Sequence, residues 1–163
     1  MRQSRNSLLK SGCLTFVVVS SMLIGCGSTQ PESAADQIKA VYTSSTAAIG
    51  ERDWPTACSQ YTPAGQAQQV QNVRKLLGAQ TPDECAAALT ALDAKMTAAG
   101  GTSKDFWDRV VASAPGSTLS DLNVAGDSAT ATSTPAAGSP STSTQIQGFK
   151  KLDGKWLVDT DHS

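Results

Sequence analysis

The sequence predicts an α+β fold in which N-terminal helices pack on a curved antiparallel sheet. Between residues 33 and 111 the apolar side chains recur at the spacing of amphipathic helices, whereas past Gly116 they alternate, with β-branched residues and turn pairs appearing. The third observation is Asp153-Gly154, a two-residue hairpin signal between Gln145 to Leu152 and Lys155 to Asp159. Helices first and a meander last leave the helices on one side of a sheet.

The first helix runs from Ser33 to Ile49, with Ala34, Ile38, Val41, Tyr42 and Ile49 on its apolar side, Ser33 as N-cap and Gly50 as the stop. Asp53 caps a short second helix, in which Trp54, Cys58 and Tyr61 fall at i, i+4 and i+7 and share a core-facing stripe. Thr62-Pro63 opens a third, with Ala67, Val70, Val73 and Leu77 inward, a solvated glutamine face (Gln66, Gln68, Gln69, Gln71) and Gly78 at its end. Thr81-Pro82-Asp83-Glu84 has the form of a capping box with proline at the first helical position. Cys85, Leu89, Leu92 and Met96 then follow on one face, which puts Cys85 on the buried side. Gly100-Gly101 ends that helix. Ser103 caps the next, with Phe106, Trp107, Val110 and Val111 inward until Pro115-Gly116 breaks it.

Leu122 and Val124 alternate in a first strand, Gly126-Asp127 turns the chain, and Ser128 to Ser133 is a Thr/Ala strand. The tract Thr134 to Thr144, rich in Ser, Thr, Pro and Gly, interrupts the sheet as a mobile loop. Counting outward from Asp153-Gly154, Lys151 opposes Trp156 and Phe149 opposes Val158, so these four share one face.

At the N-terminus Arg2, Arg5 and Lys10 precede an apolar run from Leu14 to Ile24, followed by Gly25-Cys26. The stretch Leu23-Ile24-Gly25-Cys26 resembles the lipobox of bacterial lipoproteins, in which the cysteine is diacylated on sulfur and becomes the first mature residue. The resemblance implies a cleaved signal peptide (1–25), a lipidated tether (26–33) and a domain over 34–160. It implies, too, an extracytoplasmic protein held at the bacterial cell membrane by its lipid anchor. A transmembrane reading fails on length: Cys13 to Gly25 is 13 residues, against about 20 for a spanning helix. Two or three acyl chains anchor stably where one does not.

Cleavage leaves 138 residues, enough for one domain with one core. It removes three of the 13 Lys and Arg and none of the 14 Asp and Glu, so ten cations face 14 carboxylates, a net charge of −4. That balance argues against nucleic acid and anionic headgroups as main partners, because both are bound through dense cationic surface. Of the four cysteines, Cys13 leaves with the signal and Cys26 is alkylated, so Cys58 and Cys85 remain to form one bridge in an oxidising compartment. A redox or metal role for that pair would call for C-x-x-C spacing or nearby histidines. Neither occurs; the one histidine, His162, is next to last.

The order of elements, with Gly50-Glu51-Arg52-Asp53-Trp54, the Cys58 and Cys85 pair, Val124 to Thr130 and the closing Phe149 to Asp159, resembles the nuclear transport factor 2-like cone, in particular its small bacterial lipoproteins and exported domains. The resemblance implies a sheet closed by helices around an apolar pocket, the default ligand site. Tyr42, Trp54, Tyr61, Phe106, Phe149 and Trp156 are the large side chains expected to line it. Enzymes of that superfamily carry an acid or base in the pocket, but no such motif matches here. The sequence lacks a phosphate loop, H-E-x-x-H and G-x-S-x-G, and no cofactor or metal is expected. The expected function is therefore non-enzymatic binding of a small apolar ligand or an envelope partner protein. Two alternatives stay open. One is an isomerase or hydratase using a single carboxylate, for which Tyr42, Tyr61, Asp121 and Asp159 are the available groups; the other is an accessory subunit of an envelope enzyme.

Overall fold

Where the apolar period is helical the chain coils, and where it alternates the chain extends. The structure, a computed structural model, describes residues 32–159. In order come α1 (Ala34–Gly50), α2 (Trp54–Ser59), α3 (Pro63–Leu77), α4 (Cys85–Ala99), α5 (Gly101–Ser113), a 3-10 turn (Ala114–Gly116), β1 (Thr118–Ala125), β2 (Ser128–Thr134), β3 (Gln145–Leu152) and β4 (Lys155–Asp159). The signal segment, Cys26, most of the tether and His162 lie outside the described residues. No helix among the described residues is long and apolar enough to cross a membrane.

The strands form an antiparallel meander in the order β1-β2-β3-β4, and the sheet is not closed. Lys151 pairs with Trp156 and Phe149 with Val158, the register expected from the turn. Asp153 and Gly154 both take positive φ (49° and 80°), as a two-residue turn matched to the strand twist requires. In β1 the register slips between Ser120 and Asn123, so that Asp121, at φ 51°, and Leu122 together face a single residue of β2. Without that bulge Leu119 and Leu122, three residues apart, would point to opposite faces. With it, Leu119 and Leu122 both pack against the inner core.

Two clusters hold the domain. In the first, Ile38, Val41 and Tyr42 of α1 lie on Ala129, Ala131, Phe149, Trp156 and Val158 of the sheet. Tyr42 meets Phe149 edge-on, with ring centroids 6.5 Å apart. In the second, Cys58, Val70, Val73, Cys85, Ala88 and Leu92 join α2, α3 and α4, and the Cys58–Cys85 disulfide runs through it with the two Cα atoms 6.0 Å apart. Ser33, Asp53 and Thr62 cap α1, α2 and α3 through their side-chain oxygens, as their positions in the sequence lead one to expect.

Several local expectations give way to tertiary demands. The capping box at Thr81 does not form. Thr81 Oγ1 donates to the Gly78 carbonyl at 2.8 Å, satisfying an acceptor that the end of α3 leaves open, while Asp83 pairs with Arg74. Helix α4 consequently starts at Cys85, behind Glu84, without a side-chain cap. Ser103 caps nothing either, because Gly100 at φ 61° turns the chain within one residue and α5 begins at Gly101. Phe106 is not inward but 47% exposed. Its neighbour Trp107 takes the interior position, stacking at a tilt 6.2 Å from Trp54 and donating from Nε1 to Asp93 at 2.7 Å; the next residue on a helix points about 100° away. Ala67 is exposed too. Helix α3 is rolled so that Gly65, Val70 and Val73 face inward, and a Cβ at Gly65 would stand only 3.1 Å from the Val158 carbonyl. Tyr61 leaves the α2 stripe altogether: the helix ends at Ser59, and Tyr61 forms a parallel bridge to Val158.

Candidate functional site

The six aromatic residues expected to line one cavity do not surround one. Tyr42, Phe149 and Trp156 are 8%, 2% and 5% exposed and pack within the first cluster, against which Tyr61 also lies. Trp54 is buried beside Trp107 under α5, and Phe106 is on the surface. Tyr42 Oη shares a hydrogen bond of 2.6 Å with Ser133 Oγ on β2, so its hydroxyl is already engaged. Burial pushes the Tyr61 phenol above its usual range, with the Ser45 hydroxyl acting in the opposite direction. A phenol held neutral in this way is a packing and hydrogen-bonding group, not a ready base.

The two carboxylates that a pocket enzyme would use have other employment. Asp121 is exposed at the β1 bulge and accepts from Ser120 Oγ at 2.9 Å. Asp159 accepts from Thr62 Oγ1 at 2.8 Å, the same hydroxyl that caps α3 through Gly65 N. Asp159 therefore belongs to a structural joint between β4 and the start of α3.

A denser polar cluster lies where the corner between α1 and α2 meets α4 and α5. Arg52, at φ 57°, reaches Asp93 with Nε (2.9 Å) and Asp108 with Nη2 (2.5 Å), and Lys104 reaches the other Asp108 oxygen at 2.5 Å. Lys104 first, then Arg52, holds the Asp108 carboxyl below the usual carboxylate range; the guanidinium is correspondingly raised, chiefly by Asp108. Every charge in the cluster is matched, which makes it a clamp between helices. No group of acidic, cysteine or histidine side chains among the described residues is arranged to hold a metal ion.

A groove of about 700 Å³ opens between α1 and the start of β4. Gln37, Val41 and Ser44 form its helical wall, Gln60 closes one end, and Lys155 and Trp156 form the strand side. Helix α1 supplies that wall because Gln37, Val41 and Ser44 succeed each other at spacings of four and three. A smaller opening of about 270 Å³, lined by Lys39, Tyr42, Thr43 and Leu119 among others, lies between α1 and β1. Sequence reasoning singled out Trp156 and missed Gln37, Ser44 and Gln60. As polar residues on a solvated helix face and at a helix end, they carry no sequence signal of a site. No protein-family model, curated protein or solved structure matches this chain.

Proposed function

We propose that the protein is a lipid-anchored component of the bacterial cell envelope, a nuclear transport factor 2-like domain that binds a partner chain and performs no catalysis. One observation carries this reading: the space between α1 and the inner sheet face is filled by the protein's own side chains, with Phe149 2% and Trp156 5% exposed. A buried apolar ligand and a single-carboxylate enzyme would each need an enclosed cavity there, whereas the groove beside β4 is open and of mixed polarity. The cone relationship draws support from five helices followed by an antiparallel four-stranded meander with α1 laid across it. The anchor rests on Leu23-Ile24-Gly25-Cys26 and on the scarcity of cations that would hold the mature chain to headgroups.

Two measurements test it. Cys26→Ala should shift the protein from the membrane fraction to the soluble or precursor fraction, and retention after a carbonate wash would overturn the anchor. A photo-crosslinker placed at Ser44 in the groove should give a discrete adduct in whole envelopes while one at Thr130 on the outer sheet face gives none. Equal labelling from both sites, or loss of the cellular phenotype in an Asp121→Asn or Asp159→Asn variant of unchanged melting temperature, would remove the partner-binding reading.

A further inference from the structure

The hydrogen bonds along the β4 edge stop one rung short. Val158 N donates to the Gln60 carbonyl at 2.7 Å and Thr62 N donates to the Val158 carbonyl at 2.9 Å, so the chain around Tyr61 acts as a short fifth strand against the far half of β4. Residues two apart on a strand direct their backbone groups to the same edge, and Trp156 therefore offers its N–H and C=O on the side that Val158 uses. The Tyr61 segment does not reach it, because α2 ends just before and Gln60 N turns back to the Ala57 carbonyl at 3.2 Å. Among the described residues nothing bonds the Trp156 backbone on that edge. The same residue carries a second unpaired donor: among the described residues, Trp156 Nε1 is the buried side-chain polar atom left without a partner. Buried donors are seldom left so, and an unpaired strand edge is a template for another chain.

We propose that the groove binds an extended, uncharged segment of a partner protein by strand addition at Trp156. The inference rests on the partner-binding reading above and names how that partner is held. The Trp156 N–H and C=O would each pair with one backbone group of the incoming segment, whichever way it runs, continuing the ladder that Tyr61 begins. The indole N–H is buried under the same residue, so it senses the seating of that segment without having to bond to it. Glu32 and Lys155 balance each other along the groove, and Gln37, Ser44 and Gln60 are neutral hydrogen-bonding groups, so the walls favour amides over charges. A second copy of this domain fits less well: α1 walls the groove, and a strand entering beside it must come without a sheet on that flank.

The probe is a displayed library of uncharged random heptapeptides, selected against the detergent-solubilised full-length protein. Enriched peptides should slow hydrogen exchange at the Trp156 amide, move the Trp156 indole N–H resonance and lose affinity about tenfold or more when the exposed Ser44 is changed to Arg. N-methylation along such a peptide should weaken it about tenfold at one amide and little at its neighbours. An empty selection, or peptides that bind without protecting the Trp156 amide, overturns strand addition. Should the Ser44 crosslinker still trap a partner in that case, the partner-binding reading survives while this one falls. Sedimentation showing a dimer whose formation protects Trp156 overturns it in favour of self-association.

Discussion

The two halves of the core solve the same problem by different means. Between α1 and the sheet, large side chains do the packing: Ile38, Tyr42, Phe149, Trp156 and Val158 are nearly or fully buried, and no covalent link joins the strands. In the cluster that joins α2, α3 and α4 the buried residues are smaller, two valines, an alanine, a leucine and two half-cystines, and the pair of cysteines is bonded. Burying apolar surface stabilises at about 25 cal/mol per Å². A cluster built from small side chains thus gains less by burial, and the bridge compensates by restricting the unfolded chain. The sheet half should accordingly be sensitive to side-chain truncation and indifferent to reductant, and the helical half the reverse.

The largest effect expected is on the sheet side. Phe149→Ala removes a side chain that is 2% exposed and touches both Tyr42 and the strand opposite, and should cost about 3 to 5 kcal/mol in denaturant unfolding. With total stability of about 5 to 15 kcal/mol for a domain, that is a large share of the whole. A cost below about 1 kcal/mol would mean that the inner face is loosely packed, and the contrast between the halves would fail.

Next comes the bridge. Cys58 and Cys85 are 27 residues apart, and on the chain-entropy model their reduction should remove about 3 to 4 kcal/mol. Hydrogen exchange ought to place the loss first in α2, α3 and α4, leaving protection in β2 and β3 close to that of the oxidised protein. Uniform loss of protection across the domain would show that the two clusters unfold as one unit. Two free thiols in non-reduced peptides of the purified protein would contradict the bridge outright.

The smallest effect belongs to the clamp that ties the halves together. Arg52→Ala breaks exposed or half-exposed ion pairs to Asp93 and Asp108 and should cost at most about 1 kcal/mol at neutral pH. Asp108 has its folded pKa depressed, so its contribution is present above the unfolded value of about 4 and disappears as pH falls through the lower folded value. The difference between wild type and Arg52→Ala should therefore shrink on acidification below about pH 4. Raising the salt concentration at neutral pH should shrink it as well. A difference that persists under both conditions would assign the role of Arg52 to the packing of its aliphatic stem at the α1–α2 corner.

Local chemistry made much of this architecture legible before any coordinates. The β3–β4 register follows from Asp153-Gly154, since a two-residue turn leaves each later pair only one place to go. Three N-caps and the facing of Cys85 follow from spacings of three and four along a helix. The misses are equally specific. Phe106 and Trp107 are adjacent and both apolar, so the period of α5 alone does not say which is inward; the presence of Trp54 and Asp93, far away in sequence, decides for Trp107. Thr81 had a plausible local partner and found a better one in the Gly78 carbonyl.

By itself, then, the sequence determined the succession of helices and strands, the turn at the last hairpin and the identity of the bridged cysteines, because each depends on sterics and hydrogen bonds within a few residues or on counting. Only the tertiary structure decided that the aromatic side chains fill the interior and that an unpaired rung remains at Trp156. The first depends on how closely α1 approaches the sheet. The second depends on the place where the chain leaving α2 meets β4, bonding Val158 and turning away before Trp156, and such a meeting of distant segments leaves no periodic trace in either of them.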